Sequence, residues 1–304
     1  MQFDMLTTIV IGNRFTARKG NYIYTPRGYN DWAGVDAENE ADALPLDAAW
    51  VFSGTSDGNA LAREMVTKGH KVVVSTATEY GGELAMQDCP GVAVWAGRQG
   101  MEARRQALVG RQARVIVDAT HPFATLISEQ LMTLSSELAI PYIRYERPSA
   151  TIPKELLSSV KICNSMQEAA QLAISLGKRI FLATGSKDSA TFLQAQEAEQ
   201  RQWFTRITPE PALIKRAIEL GIPRANICAM QGPFSEAINL ALWQDWKLDC
   251  IITKDSGDAG GMMGKVQAAK KLGVPIIVIA RPNMQYPQVA ATFELVLEKL
   301  ACKP

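Results

Sequence analysis

Short apolar runs alternate with amphipathic stretches from residue 48 onward. The first run, AWVFS at 49–53, is apolar until its last position, which is typical of a strand buried on both faces of a sheet. Residues 59–69 then carry apolar side chains at helical spacing and end in a glycine. The same rhythm predicts further strands at 71–77, 92–96, 114–119 and 140–145, and helices at 99–110 and 124–138.

The second half of the chain repeats this rhythm. Strands are predicted at 160–164, 179–185, 203–207, 226–232, 249–254 and 274–280, and helices at 165–176, 211–220, 234–245, 264–272 and 289–300. Alternating strands and helices of this length predict α/β architecture, with parallel sheets covered by helices on both faces. The Pro- and Ser/Thr-containing segment 148–158 divides this part into two predicted domains, 48–150 and 151–304.

The first 47 residues have a different character. Residues 1–30 hold a single apolar run before Gly- and Pro-containing sequence, and residues 31–47 carry six acids and no base. Such an acidic stretch predicts a solvated linker, so we place a domain boundary near residue 47.

Composition excludes several classes of function. The 304 residues include 32 Lys and Arg against 31 Asp and Glu, a net charge of +1, which argues against a nucleic-acid-binding protein. No apolar run approaches the ~18 residues of a membrane helix, and the N-terminus lacks the basic region of a signal peptide. Five scattered cysteines without a CxxC pair are typical of a cytoplasmic protein without a zinc cluster. We therefore expect a cytoplasmic protein with no membrane or nucleic-acid partner.

A candidate cofactor site follows the first two strands. Two glycines and small hydroxyls at a helix start can bring backbone N–H groups to a phosphate, although the loop lacks GxGxxG and an ordinary strand-to-helix turn remains an alternative. The second strand ends in hydroxyls instead of the acid that reads a free ribose 2′-OH, which favours NADPH while leaving NADH open. The candidates for binding the cofactor are these loop and strand-end residues together with Thr120, which follows the fourth strand: Gly54, Thr55, Ser56, Gly58, Ser75, Thr76 and Thr120.

Basic side chains follow several predicted strands, where ligands bind in such sheets. His121 directly follows an apolar strand and precedes a proline; it suits proton transfer, although a plain helix-capping loop is the alternative. Each remaining charge could be a solvated loop residue, but several on one side of a sheet suit a substrate with several carboxylates. With the small residues beside them in these loops, the candidates for binding substrate are Arg144, Arg147, Ser186, Lys187, Ser256, Gly257, Lys265 and Arg281.

Several chemistries lack their motifs. The chain contains no HExxH, no G-x-S-x-G and no Walker pattern, and no tyrosine is followed four residues later by a lysine. We therefore expect no catalytic metal, no serine-hydrolase elbow and no usual short-chain dehydrogenase pair.

Taken together, these loops resemble the precorrin-6A reductases of cobalamin biosynthesis. The likeness covers about residues 48–300, and its specific parts are DATHPFA and the TKDSG…K…A…GVP…RP pattern. Ser53 stands where the commoner family loop has its first glycine. The stretches that carry the resemblance are SGTSDGNALA (53–62), VDATHPFA (117–124), YIRYERP (142–148), FLATGSKD (181–188) and the long segment 252–282.

The resemblance implies a reductase that uses NADPH or NADH on a ring C=C bond of precorrin-6A or its cobalt form. Two Rossmann-like domains would enclose the tetrapyrrole in a cleft, with basic residues clamping its acetate and propionate arms. For the proton, His121 is the first candidate, and Lys254, Asp255 or water are alternatives. Two other functions remain open: an NAD(P)-sensing regulator without catalysis, and an oxidoreductase on another, smaller polycarboxylate.

Residues 4–29 carry a second resemblance. Their sequence, DMLTTIVIGNRFT…YIYTPRGY, looks like the C-terminal end of the precorrin-3B C17-methyltransferases. Only this tail is present, so we expect no methyltransferase activity. The segment would be one part of a fusion, or its remnant.

Overall fold

A computed structural model describes residues 17–19, 22–24, 41, 43–149, 151–257 and 260–301. Within the first 40 residues it contains two short antiparallel strands, β1 (Ala17–Lys19) and β2 (Tyr22–Tyr24). The rest of residues 4–29, for which a methyltransferase tail was predicted, and most of the acidic linker lie outside the described residues. Among the residues that the structure describes, no helix is long and apolar enough to cross a bilayer.

The first large sheet has six parallel strands in the order β5-β4-β3-β6-β7-β14. In chain order this is the 3-2-1-4-5-6 arrangement of a Rossmann fold. Its strands are β3 (Ala49–Phe52), β4 (Val72–Thr76), β5 (Ala93–Ala96), β6 (Val115–Asp118), β7 (Tyr142–Tyr145) and β14 (Val289–Ala290). The helices between them are α1 (Ser56–Thr67), α2 (Glu79–Asp88), α3 (Met101–Gly110) and α4 (Thr125–Leu138).

The second sheet also has six parallel strands, in the order β11-β10-β9-β12-β13-β8. Its strands are β8 (Val160–Cys163), β9 (Arg179–Ala183), β10 (Gln202–Ile207), β11 (Ile227–Ala229), β12 (Cys250–Lys254) and β13 (Ile276–Ile279). Its helices are α5 (Met166–Leu176), α6 (Ser189–Leu193), α7 (Pro211–Glu219), α8 (Glu236–Asp245) and α9 (Met262–Leu272). Two parallel sheets with helices confirm the predicted α/β class.

Both faces of each sheet are buried, which explains the unbroken apolar runs. In β3, Ala49 and Val51 pack with α1 on one face, whereas Trp50 and Phe52 pack with α3 and α4 on the other. The second sheet repeats this arrangement, with α5 and α6 on one face and α8 and α9 on the other. A parallel strand in this setting has no solvent face to carry polar residues.

The end of the chain returns to the first sheet. Val289 and Ala290 form β14, which pairs with Arg144 and Tyr145 of β7. The last helix, α10 (Phe293–Ala301), buries Val296 in the core that contains β3 and α1. We predicted one helix over 289–300 inside a second domain running to residue 304. Instead, the segment begins as a strand and completes the first sheet.

Two described helices, α2 and the short α6, were not predicted, and α2 was missed because of its glycines. No helix was predicted between the strands at 71–77 and 92–96, but α2 begins at Glu79, and the Thr78 hydroxyl caps it by accepting a hydrogen bond from the Gly81 N–H at 3.0 Å. A Cβ on Gly82 would lie 3.0 Å from the Ala96 Cβ, so a glycine permits this helix to approach β5 closely. Adjacent glycines disfavour helix in sequence reasoning, whereas here tertiary packing uses the absent side chain.

Candidate active site

Each sheet has one point at which the strand order reverses, and both points face the same cavity. In the first sheet the reversal lies between β3 and β6, and in the second between β9 and β12. Loops after these strands separate there and leave a crevice, which is where open α/β sheets bind ligands. A cavity of about 550 Å³ lies between the two crevices and is lined by residues of both sheets.

Half of the site residues predicted from the sequence line this cavity. Those that line it are Gly54, Thr55, Ser56, His121, Arg147, Lys187, Lys254, Ser256 and Lys265. Those that do not line it are Gly58, Ser75, Thr76, Thr120, Arg144, Ser186, Asp255, Gly257 and Arg281. Their surroundings explain this division.

The N-terminus of α1 opens onto the cavity. The Thr55 hydroxyl caps the helix by accepting from the Gly58 N–H at 3.0 Å, and it lies 3.4 Å from the Ala119 carbonyl oxygen after β6. Gly54 is exposed, and a Cβ built on it would meet no atom within 4 Å. A ligand phosphate can therefore approach the first turn of α1, whose N–H groups and dipole favour an anion.

Gly58 has a packing role behind this loop. A Cβ at that position would lie 2.4 Å from the Ser53 Oγ and 3.2 Å from the Ala119 carbonyl oxygen. Its glycine lets α1 lie close to β3 and β6, as the last glycine of a dinucleotide fingerprint does.

Ser75 and Thr76, at the end of β4, are buried and do not line the cavity. The Thr76 hydroxyl donates to the Thr78 carbonyl oxygen at 3.1 Å and so shapes the turn into α2. The first acid after the strand is Glu79, which is exposed in the first turn of that helix. The strand end itself carries no carboxylate.

Arg144 is a buried structural cation. Its side chain is 1% exposed, and its guanidinium donates to the Asp118 carboxylate at 2.8 Å, to Thr120 Oγ1 at 3.2 Å and to the Glu146 carboxylate at 3.0 Å. The Tyr142 hydroxyl donates to the other Asp118 oxygen at 2.8 Å. This network fixes the end of β6 and the loop that follows it. Arg144 and Thr120 therefore hold the loop that carries His121 through hydrogen bonds.

His121 lies in the cavity as a neutral imidazole. Burial, together with the positive charges of Lys254 and Lys265, lowers its pKa to about 4. Its Nδ1 accepts from the Phe123 N–H at 3.3 Å, which places the ring proton on Nε2. The sequence argument that its ordinary pKa suits proton transfer is therefore incomplete, because this environment keeps the free site deprotonated.

Lys254 and Asp255 share a strand end but have different surroundings. The Lys254 ammonium pairs with the Asp188 carboxylate at 2.5 Å and lies 5.0 Å from the centre of the Phe123 ring. The Asp255 carboxylate accepts from the Gly257 N–H at 3.1 Å and lies 3.4 Å from the Arg281 Nε. Asp255 therefore shapes the loop after β12, and Lys254 is the member of the pair that reaches the cavity.

Arg147 and Arg281 tie the two halves of the molecule together. Arg147 pairs with Asp57 in the first turn of α1 and donates to the Ser256 carbonyl oxygen of the second half at 2.5 Å. Arg281 donates to the carbonyl oxygens of Arg147 at 2.6 Å and Asp255 at 3.3 Å. A Cβ on Gly257 would lie 3.0 Å from both guanidinium groups, so this glycine leaves room for them.

One cavity cation was missed by sequence reasoning. Arg206, the penultimate residue of β10, lines the cavity, although its strand, WFTRI, gave no motif around it. It is 7% exposed and its guanidinium lies 3.6 Å from the centre of the Phe234 ring. The general rule that ligands meet the carboxyl ends of strands could have identified it.

Comparisons with known proteins agree on one family. The family model described as Precorrin-6x reductase CbiJ/CobK matches residues 48–301. The chain is 36% identical over 252 residues to the cobalt-precorrin-6A reductase of Methanococcus maripaludis, covering 82% of this chain and 96% of that protein. It is 30% identical over 236 residues to the precorrin-6A reductase of Mycobacterium tuberculosis strain H37Rv, covering 76% and 88%.

A solved structure shares the fold. The protein titled CobK precorrin-6A reductase superposes with a TM-score of 0.69 at 24% identity, covering 84% of this chain and 97% of that one. The similarity of architecture extends over both sheets, since so little of either chain is left out. With the family model spanning both sheets and their shared cavity, the chain belongs to the precorrin-6x reductase family and is an oxidoreductase of cobalamin biosynthesis.

Proposed function

We propose that this chain reduces one ring C=C bond of precorrin-6A, or of cobalt-precorrin-6A, with NADPH as the hydride source. The observation that carries the proposal is the cationic cavity shared by two strand-order reversals in a chain of this reductase family. One reversal suits a dinucleotide and the other faces it across a space lined with lysine and arginine.

The residues at the first reversal fit a nicotinamide dinucleotide. Gly54, Thr55 and Ser56 stand at the N-terminus of α1 with open space above Gly54, which suits a pyrophosphate. The strand end at Ser75 and Thr76 lacks the acid that prefers a free 2′-hydroxyl, which supports NADPH over NADH. When bound, the reduced nicotinamide supplies the hydride, while the protein supplies its binding and orientation.

Cations of the opposite wall would bind the substrate carboxylates. Lys187, Lys254 and Lys265 line this wall, and Arg147 lies beside the N-terminus of α1. We assign Arg281, Ser186 and Gly257 to the shape of the surrounding loops because they do not line the cavity. Binding several carboxylates at once would fix the position of the flat macrocycle relative to the nicotinamide. Such positioning of the two reactants is how binding promotes the reaction.

The proton would come from His121, with Lys254 as the alternative. Both side chains line the cavity. The positive charges that lower the pKa of His121 would be offset by substrate carboxylates, so the pKa rises on binding and the imidazole takes up a proton. Asp255 holds its loop and is a weaker candidate because its carboxylate already accepts from the Gly257 N–H.

Mixing the purified protein with NADPH and precorrin-6A tests the proposal. The visible spectrum of the macrocycle should change while an equimolar amount of NADPH is consumed, and NADH should give a lower kcat/KM. The His121→Ala variant should lose about 10²-fold in kcat. An NAD(P)-sensing regulator would instead bind NADPH without consuming it, and that outcome would refute the enzymatic assignment.

The origin of the first 47 residues stays a separate prediction. The family match begins at residue 48, so it does not bear on the likeness of residues 4–29 to a methyltransferase tail. A reading frame encoding the missing methyltransferase body directly upstream would support a fusion partner.

A further inference from the structure

Within the described part of the chain, two buried cations of the cavity wall have no carboxylate partner, whereas their neighbours do. Arg206 and Lys265 are 7% and 8% exposed and both line the cavity. Lys254 pairs with Asp188, and Arg147 pairs with Asp57. Among the residues that the structure describes, no carboxylate lies within ion-pair distance of Arg206 or Lys265, so their charges are not neutralised within that part of the protein.

Arg206 is nevertheless held in one orientation. Its Nη1 donates to Asn239 Oδ1 at 2.8 Å, and Asn239 is completely buried. The flat guanidinium stacks over the Phe234 ring at 3.6 Å and faces the Phe181 ring at 5.6 Å. Asn239 accepts only one of the five N–H groups of the guanidinium. A rigid planar donor with unused N–H groups suits bidentate recognition of a carboxylate.

Lys265 stands where a cation is least favourable. It lies in the first turns of α9, at the positive end of the helix dipole, and Gly261 provides no side-chain cap. Its ammonium donates to the Gly260 carbonyl oxygen at 3.0 Å. Burial, together with the charge of Arg206, lowers its pKa to about 8.

Close packing between the start of α9 and the loop at Phe234 brings these two cations to one corner of the cavity. Gly264, the residue before Lys265, lies so close to the Phe234 loop that a Cβ would be 3.4 Å from the Phe234 carbonyl oxygen and 3.1 Å from the Glu236 nitrogen. Phe234 in turn stacks on Arg206. The start of α9, Lys265 and Arg206 thus raise the electrostatic potential of one corner of the cavity.

We infer that Arg206 and Lys265 form one binding pocket for a carboxylate of the substrate, with Asn239 and Phe234 as its positioning residues. The inference rests on the proposed function for the identity of the substrate. Buried charges without a partner destabilise a protein by several kcal/mol, and a bound anion would remove that penalty. The pocket is therefore less stable when empty, and a ligand carboxylate completes it.

Kinetics with precorrin-6A give the first test. Arg206→Gln and Lys265→Met should each raise the KM for precorrin-6A at least tenfold, with kcat changed less than about threefold and NADPH binding unchanged. Arg206→Lys should recover only part of the affinity, because a lysine keeps the charge but not the planar donors. The matched controls Arg224→Gln and Lys215→Met, which remove exposed cations of the same half, should behave as wild type.

Thermal stability distinguishes a binding lysine from a structural one. Without ligand, Lys265→Met should raise Tm, because it replaces an uncompensated buried charge by an apolar side chain of similar size. A lysine whose role is to hold the fold would lower Tm on the same substitution, and that result would overturn the inference.

A small tricarboxylate separates this inference from the proposed function. Citrate should raise the Tm of the wild-type protein more than chloride at equal ionic strength, and this shift should shrink in Arg206→Gln and Lys265→Met but not in the two controls. If the wild type does not reduce precorrin-6A but shows this pattern, the proposed function fails and the pocket stands. If the variants keep the wild-type KM and citrate shift, the pocket is refuted.

Discussion

At the scale of single residues, the partners of a charged side chain decide what it can do. Arg144 and Lys265 are both basic and both buried. Arg144 faces the carboxylates of Asp118 and Glu146, so its charge serves the protein itself. Lys265 donates to a carbonyl oxygen and lies near another cation, and we propose that its charge serves a ligand.

Replacing Arg144 tests its structural role. Arg144→Met would leave the fully buried Asp118 carboxylate without its cation, and breaking such a pair lowers the free energy of unfolding by about 3–5 kcal/mol. Urea denaturation measures this change. The opposite sign is expected for Lys265→Met, so the two variants form a matched pair of buried cations. Equal stabilities for wild type and Arg144→Met would contradict the structural assignment.

His121 should make the folded protein sensitive to acid. Its folded pKa of about 4 lies below the ordinary value of 6.5, so the unfolded chain binds more protons between these values. Stability is therefore lost as the pH falls from about 6.5 to about 4, and it is retained above that window. His121→Gln should lose less unfolding free energy between pH 7 and about pH 4.5, as measured by urea denaturation. An unchanged loss would show that the imidazole titrates normally.

At the scale of elements, the sequence predicted those strands and helices whose own residue pattern is sufficient to identify them. The apolar runs of β3, β6 and β12 were found because both faces of each sheet are covered. The helix α2 was missed because Gly81 and Gly82 are explained only by the neighbouring strand β5. The two-residue strand β14 was missed because its pairing with β7 joins positions about 145 residues apart, which no local pattern encodes.

Two neighbouring residues of α10 test the return of the chain to the first sheet. Val296 is completely buried in the core around β3, whereas Leu295 is 40% exposed. Val296→Ala should lower the free energy of unfolding by about 1–3 kcal/mol through the cavity that it leaves. Leu295→Ala should change it by no more than about 0.5 kcal/mol. Guanidinium denaturation compares them, and equal effects would argue against the docking of this helix.

At the scale of the whole molecule, the site depends on how the two sheets face each other. Half of the residues predicted from the sequence, including the glycine and hydroxyl residues of the first loop, line the cavity, because the carboxyl ends of parallel strands converge. Sequence reasoning could not separate Lys254, which reaches the cavity, from Arg281, which ties the halves together. That difference depends on contacts between distant segments, such as the hydrogen bond from Arg281 to the Arg147 carbonyl oxygen.

Arg281 should stabilise the junction between the two halves. Arg281→Gln removes the donors to the carbonyl oxygens of Arg147, Pro148 and Asp255, and it should lower the free energy of unfolding by about 1–3 kcal/mol. Proteolytic cleavage within 146–151 should become faster in this variant. Arg224→Gln, at an exposed position, provides the control and should stay within about 0.5 kcal/mol of wild type.

The late position of β14 and α10 in the chain has a consequence for synthesis. A nascent chain leaves the ribosome from its N-terminus, so β3 to β7 emerge well before the strand that covers the free edge of β7. While the second sheet is being translated, the edge of β7 and the apolar surface that later packs against Val296 stay uncovered. A gene cut near codon 150 would therefore release a half that lacks its final strand, and coexpressed halves would have to exchange that segment to recover it.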